Sequence, residues 1–77
     1  MFINLTIEIN GNRKDIRIDS EQKIKEAVAV LHQSDQLPAS TIPDYFHSRI
    51  NQRPVSVYKT FSEESVYDGD ILSANSI

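Results

Sequence analysis

The chain reads as one α+β domain over residues 1–77: a mixed sheet of four to five strands packed on a single α-helix. Three observations carry that expectation. The first is an alternating apolar segment that meets Asn10-Gly11 and resumes as a second alternating segment. The second is one apolar stripe at helical spacing. The third is the closing run Asp68-Gly69-Asp70-Ile71-Leu72, in which an Asp-Gly turn launches a short apolar strand.

Ile3, Leu5, Ile7 and Ile9 alternate with Asn4, Thr6 and Glu8. A period of two in β-branched residues predicts a strand with one buried face. Asn10-Gly11 accepts positive φ and suits a tight hairpin turn. Ile16 and Ile18, alternating with Asp15, Arg17 and Asp19, then give the antiparallel return strand. Asp19-Ser20 offers N-cap candidates, with Gln22 placed as a capping-box partner. Ile24, Ala27, Val28 and Leu31 fall at i, i+3, i+4 and i+7, one helical stripe, with Glu21 and Lys25 as an i, i+4 pair on the solvent side. The helix is expected to end near Ser34-Asp35, ahead of Leu37-Pro38, because a residue before proline avoids the helical region.

Residues 37–44 form a loop holding two of the three prolines, a segment suited to ordering on binding. Tyr45 to Ile50 returns to a strand pattern with Phe46 and Ile50 on one face. Asn51-Gln52-Arg53-Pro54 reads as a turn. Val55 and Val57 mark a short strand that Pro54 places at a sheet edge. Phe61 and Val66 anchor a polar crossing loop, and Ile71 to Ala74 closes the sheet.

Seventy-seven residues support one modest core. Lys and Arg number 8 against 11 Asp and Glu, and no basic cluster occurs, so nucleic acid is not an expected partner. The absence of cysteine removes disulfides, thiolate metal sites and thiol catalysis. Met1-Phe2-Ile3-Asn4 is not a signal peptide, and nothing approaches the roughly 18 apolar residues that span a bilayer. A cytoplasmic protein without direct membrane insertion is expected.

Chemistry-bearing residues are present, but not in catalytic patterns. His32 and His47 lack a zinc spacing and read as surface or boundary side chains. Glu63, Glu64, Asp68 and Asp70 do not follow the calcium-loop order, so turn chemistry and solvated charge are expected of them. No serine lies in a nucleophile elbow, and the two isolated glycines make no phosphate loop. No enzyme activity, metal, cofactor or small-molecule substrate is expected. Tyr45, Phe46, Tyr58 and Tyr67 are candidates for an interaction surface, set against a reading in which Phe46 is core and the tyrosines sit half-buried at strand edges. Tyr45, His47 and Arg49 share one parity, opposite Phe46 and Ile50, and are the candidate partner-binding residues.

The order of elements resembles ubiquitin over nearly the whole chain. Val55, Phe61, Val66 and Leu72 fall at the spacing of ubiquitin's later apolar residues, and Thr60-Phe61-Ser62 at its threonine-leucine-serine turn. The chain is more similar still to the YukD/EsaB family, small ubiquitin-like accessory proteins of Gram-positive type VII secretion. Its marks here are the length, the alternating N-terminus, Arg49-Ile50-Asn51 at the end of the third strand, and Asp68-Gly69-Asp70-Ile71-Leu72. That resemblance implies a β-grasp fold and a non-catalytic, non-conjugated component that serves export of WXG100-type substrates. Its partners would be proteins of a membrane-bound secretion machine, met in the cytoplasm or at the inner membrane face. Two departures from ubiquitin bear on mechanism. Asn75-Ser76-Ile77 stands where a double-glycine tail would follow, which implies no conjugation. The positions matching ubiquitin's apolar recognition patch are Asn10, Arg49 and Asn75, which bury little apolar area at about 25 cal/mol per Å². The alternatives are a modifier or sulfur carrier whose Gly-Gly is missing from this sequence, and a scaffold domain unrelated to secretion.

Overall fold

The computed structural model describes residues 1–33 and 42–74. Five strands and one helix follow in the order β1 (Phe2–Ile9), β2 (Asn12–Asp19), α1 (Ile24–Gln33), β3 (Tyr45–Ser48), β4 (Arg53–Ser56) and β5 (Ile71–Ala74). The strands form a single sheet in the order β2-β1-β5-β3-β4. β1 and β5 run parallel at its centre, and every other neighbouring pair is antiparallel. The expected mixed sheet on one helix is thus the observed architecture.

Alternation in β1 buries Ile3, Leu5, Ile7 and Ile9 on the inner face, where they meet Ile24, Ala27, Val28 and Leu31 of α1. Phe46, Val55, Val57, Phe61, Val66 and Leu72 complete this core. Asn10 and Gly11 both take positive φ, 53° and 84°, as a two-residue hairpin turn requires. Gly69 sits at φ 87° in the turn that launches β5, so a side chain there would be strained even though the space beside it is open.

The start of α1 departs from the expected capping box. Asp19 does not cap the helix: its carboxylate accepts the Glu21 amide, its carbonyl accepts the Gln22 amide, and the helix begins only at Ile24. The intervening residues are drawn into pairing with the loop after β4. Ser62 N–H donates to the Ser20 carbonyl, Phe61 N–H to that of Gln22, and Lys23 bridges Thr60. That loop also satisfies the first free amides of the helix, because Ile24 and Lys25 donate to the carbonyls of Lys59 and Val57 at 3.0 and 2.8 Å. Glu21 therefore lies outside α1 and is no helical partner of Lys25, whose ammonium sits 5.3 Å from the Tyr58 ring centroid.

The third strand is shorter than its pattern. β3 ends at Ser48, and Ile50 lies 62% exposed in the following turn rather than in the core. Ser48 takes the inner-face position after Phe46, and the chain then reverses through residues 49–52, with Gln52 at φ 54° donating to the Ser48 carbonyl. The turn accordingly precedes Arg53, which is already in β4. Pro54 stands in that edge strand opposite His47, as expected. Ser34-Asp35, the expected helix end, and residues 37–41 of the proline-containing loop lie outside the described residues.

Candidate functional site

Register on the outer sheet face aligns one row of side chains across all five strands. Arg13 stands opposite Glu8, Glu8 beside Ser73, Ser73 opposite His47, and His47 opposite Pro54. On the β5–β3–β4 side this row lines a shallow open depression of about 390 Å³, bordered also by Pro43 and Tyr45. Tyr45, 62% exposed, and the exposed His47 stand on its floor and rim because each alternates with a buried neighbour, Phe46 or Ser48.

Arg49 is the member of the expected set that the structure separates. It keeps the outward parity, but it follows the end of β3, where its amide donates to the Ile71 carbonyl at 3.1 Å. The depression is lined without it. Of the three positions matched to ubiquitin's recognition patch, Asn10 lies in the hairpin turn with its amide on the Ala74 carbonyl, Arg49 lies in the β3–β4 turn, and Asn75 is outside the described residues.

The tyrosines are more exposed than the half-buried edge positions expected of them. Tyr45 belongs to β3, which lies between β5 and β4 and not at an edge. Tyr58 donates its hydroxyl to Asp44 at 2.7 Å, and that carboxylate pushes the phenol pKa above its ordinary value. His47 is a surface histidine, as read from the sequence; His32 lies outside the described side chains.

The acidic residues of the closing third each hold main-chain donors. Asp68 accepts the Asn4 amide at 2.7 Å, which ties the loop before β5 to the start of β1. Glu63 accepts the Thr60 amide at 2.9 Å while Thr60 Oγ1 accepts the Glu63 amide at 3.0 Å, a reciprocal cap around a single turn. The Thr60 amide holds the Glu63 carboxyl below its usual range. Glu64 accepts the Ser56 amide at 2.6 Å and pairs with Arg53, whose guanidinium also donates to the Glu64 carbonyl.

Asp70 corrects the expectation of solvated charge. It is 1% exposed, and three donors surround its carboxylate: Ser48 Oγ at 2.5 Å, the Ile50 amide at 3.1 Å and the Ile71 amide at 2.7 Å. Ser48 Oγ in turn accepts from the Asn51 amide and side chain. A buried carboxylate with several short donors is a structural clamp, and here it fixes the β3–β4 turn to the start of β5. Among the described residues, no group of three or more His, Cys, Asp or Glu is placed to hold a metal ion, and no helix is long and apolar enough to cross a membrane.

No protein-family model matches the chain, and no curated protein matches it either. Solved structures do. Ubiquitin of Caldiarchaeum subterraneum is 15% identical, with a TM-score of 0.68 over all of this chain and 95% of its own. The ubiquitin-like domain of the Mycobacterium tuberculosis type VII secretion protein EccD1 is 17% identical, with a TM-score of 0.59 over 99% of both chains. The ubiquitin-like domain of EccD5 from Mycobacterium xenopi is also 17% identical, with a TM-score of 0.56 over 95% of this chain and 91% of its own. At these identities the likeness is one of fold. The chain has the ubiquitin-like β-grasp fold, a five-stranded mixed sheet on one helix.

Proposed function

We propose that this ubiquitin-like domain is a non-catalytic protein-binding module that serves type VII secretion from the cytoplasm or the inner membrane face. The observation that carries the binding role is the outer sheet face over β5, β3 and β4. It offers an exposed tyrosine and histidine beside Pro54 and Ser73 in an open depression. Tyrosine supplies large amphipathic contact area at low conformational cost, which favours it at interface centres. The non-catalytic reading is supported by how the carboxylates are engaged. Asp68, Asp70, Glu63 and Glu64 all accept main-chain amides, a role that fixes turns, and Glu8, the carboxylate that lines the depression, is paired with Arg13 at 2.6 Å. The secretion setting is supported by the EccD-type ubiquitin-like domains among its structural neighbours and by the closing Asp-Gly-Asp-Ile-Leu segment. The finer assignment, to YukD/EsaB-type accessory proteins of WXG100 export, belongs to the same proposal.

The test is affinity capture from cytoplasm and membrane fractions of the native cell with the wild-type chain and with Tyr45, His47 and Arg49 all replaced by alanine. Capture of secretion-machine components by the wild type, lost in the triple variant, is the expected result. Unchanged capture by the variant would place the binding surface elsewhere. Capture of only unrelated partners would overturn the secretion setting.

A further inference from the structure

The two margins of the sheet are β4 and β2, and β2 carries a pattern that the outer-face depression does not use. Thr6 and Asn10 donate their amides toward β5, and Asn4 receives the Gly69 amide from the same side. Even-numbered residues of β1 therefore turn their main-chain groups to β5, and odd-numbered residues turn theirs to β2. Their β2 partners, Asn12, Lys14, Ile16 and Ile18, face β1. By alternation, Arg13, Asp15, Arg17 and Asp19 direct their main-chain groups out from the sheet edge.

The same four residues place their side chains on the outer face, with charges that alternate plus, minus, plus, minus. We infer that β2 is a self-pairing edge and that its occupant is a second copy of this chain, joined antiparallel about a two-fold axis at Ile16. In that register Arg13 stands opposite the partner's Asp19 and Asp15 opposite the partner's Arg17, and symmetry repeats both pairs. All outward-facing main-chain positions then meet outward-facing positions, as an antiparallel ladder requires. Sliding by two residues sets Asp15 against Asp15 or Arg17 against Arg17, like charges directly opposed. Sliding by one residue breaks the main-chain match. Sliding by four meets both conditions but pairs only Arg13 with Asp15 or Arg17 with Asp19. The register at Ile16 is therefore the one that engages all four charged positions, and it gives the closed, isologous interface of a symmetric dimer.

The side chains already have partners within the hairpin that leave them free to reach across. Arg13 uses Nε on Glu8 at 2.6 Å, a bond that does not engage its terminal nitrogens. Asp15 accepts Thr6 Oγ1 through Oδ1 at 2.6 Å, which leaves Oδ2. Arg17 rests over the Phe2 ring, 5.4 Å from its centroid. On the inner face the half-buried Ile16 would meet its symmetry mate. The Asp19 carbonyl already receives Gln22, so the four central bonds between Asp15 and Arg17 hold the ladder. Such a contact is small, so association is concentration-dependent and weakened by salt.

The experiment is sedimentation velocity over a concentration series at low and high salt. Wild-type chain is compared with Asp15→Arg, Arg17→Asp, the charge-exchanged double variant, and an equimolar mixture of the two single variants. Wild-type dimerisation that salt weakens is expected. Each single variant sets like charges opposite each other and should weaken dimerisation roughly tenfold or more. The mixture and the double variant restore opposite pairs and should recover dimerisation. Because the chain has no cysteine, Ile16→Cys tests the register on an otherwise native edge. Two such residues at the axis lie within disulfide reach, about 4.5 Å between Cα atoms, so oxidation should cross-link Ile16→Cys well above Lys14→Cys. A wild-type monomer at every concentration, no recovery in the mixture, or equal cross-linking at both positions would overturn the inference.

Discussion

The two edges of this sheet are closed to very different degrees. β4 is four residues long, and its two outward-facing positions are Pro54, which has no N–H, and Ser56, whose N–H is taken by Glu64 at 2.6 Å. The Arg53 guanidinium and the Glu64 carbonyl fasten the same margin. β2 is eight residues long, contains no proline, and guards itself with charge alone. Edge strands invite pairing wherever their main-chain groups remain open, and natural sheets blunt them with proline, shortness or charge. Here one edge uses the first two devices with a carboxylate cap. The other uses charges whose alternation repels the neighbouring registers and pairs fully in one. A closed edge protects a fold, and an edge whose charges pair fully in one register can select a partner.

Breaking the closed side should cost most at its root. Asp70 holds the β3–β4 turn through Ser48 and Ile50 and holds β5 through Ile71. Asp70→Ala leaves three donors without their acceptor, and at about 1 kcal/mol each the loss is about 3 kcal/mol. That is a large share of the roughly 5–15 kcal/mol that holds a small domain folded. Urea unfolding measures it, and Asp70→Asn, which keeps one acceptor oxygen, should lose about half as much. A loss under about 0.5 kcal/mol would mean that the clamp is not a support of the β4 hairpin.

A smaller effect is expected at the cap itself. Glu64→Ala frees the half-buried Ser56 amide and should cost about 1–2 kcal/mol, whereas Glu64→Gln keeps an acceptor and should retain most of the stability. The pair of variants sharpens the comparison because the alanine change gives β4 an open N–H that β2 already has. Equal losses in the two variants would show that charge, and not the amide bond, closes this edge.

Much of the fold was legible because the pattern that marks it is local. Alternation at Ile3 to Ile9, Asn10-Gly11 and the stripe from Ile24 to Leu31 each place a buried face without reference to the rest of the chain. The capping box failed because its competitor is distant in sequence: residues 60–62 claim the main chain of residues 20–23, and no local propensity records that. Ile50 was misplaced for a related reason. Parity extends a strand indefinitely, and the chain leaves β3 at Ser48 because Asp70, 20 residues on from Ile50, captures the Ile50 amide. Asp70 looked like a charge in a turn, yet it is the most constrained acid among the described residues. A serine at a core parity position, Ser48, was the available hint that a buried acceptor awaited it. Of the candidate site, Tyr45 and His47 followed from parity alone, whereas the separation of Arg49 depended on where the strand ends.

The contrast between the edges is most directly tested by residue-resolved amide hydrogen exchange, in dilute and in concentrated protein. Slow exchange is expected at Ser56 under both conditions. The amides of Asp15 and Arg17 should exchange freely when dilute and gain roughly tenfold protection or more when concentrated. Exchange at Asp15 and Arg17 that ignores concentration, or a Ser56 amide as fast as theirs, would contradict it.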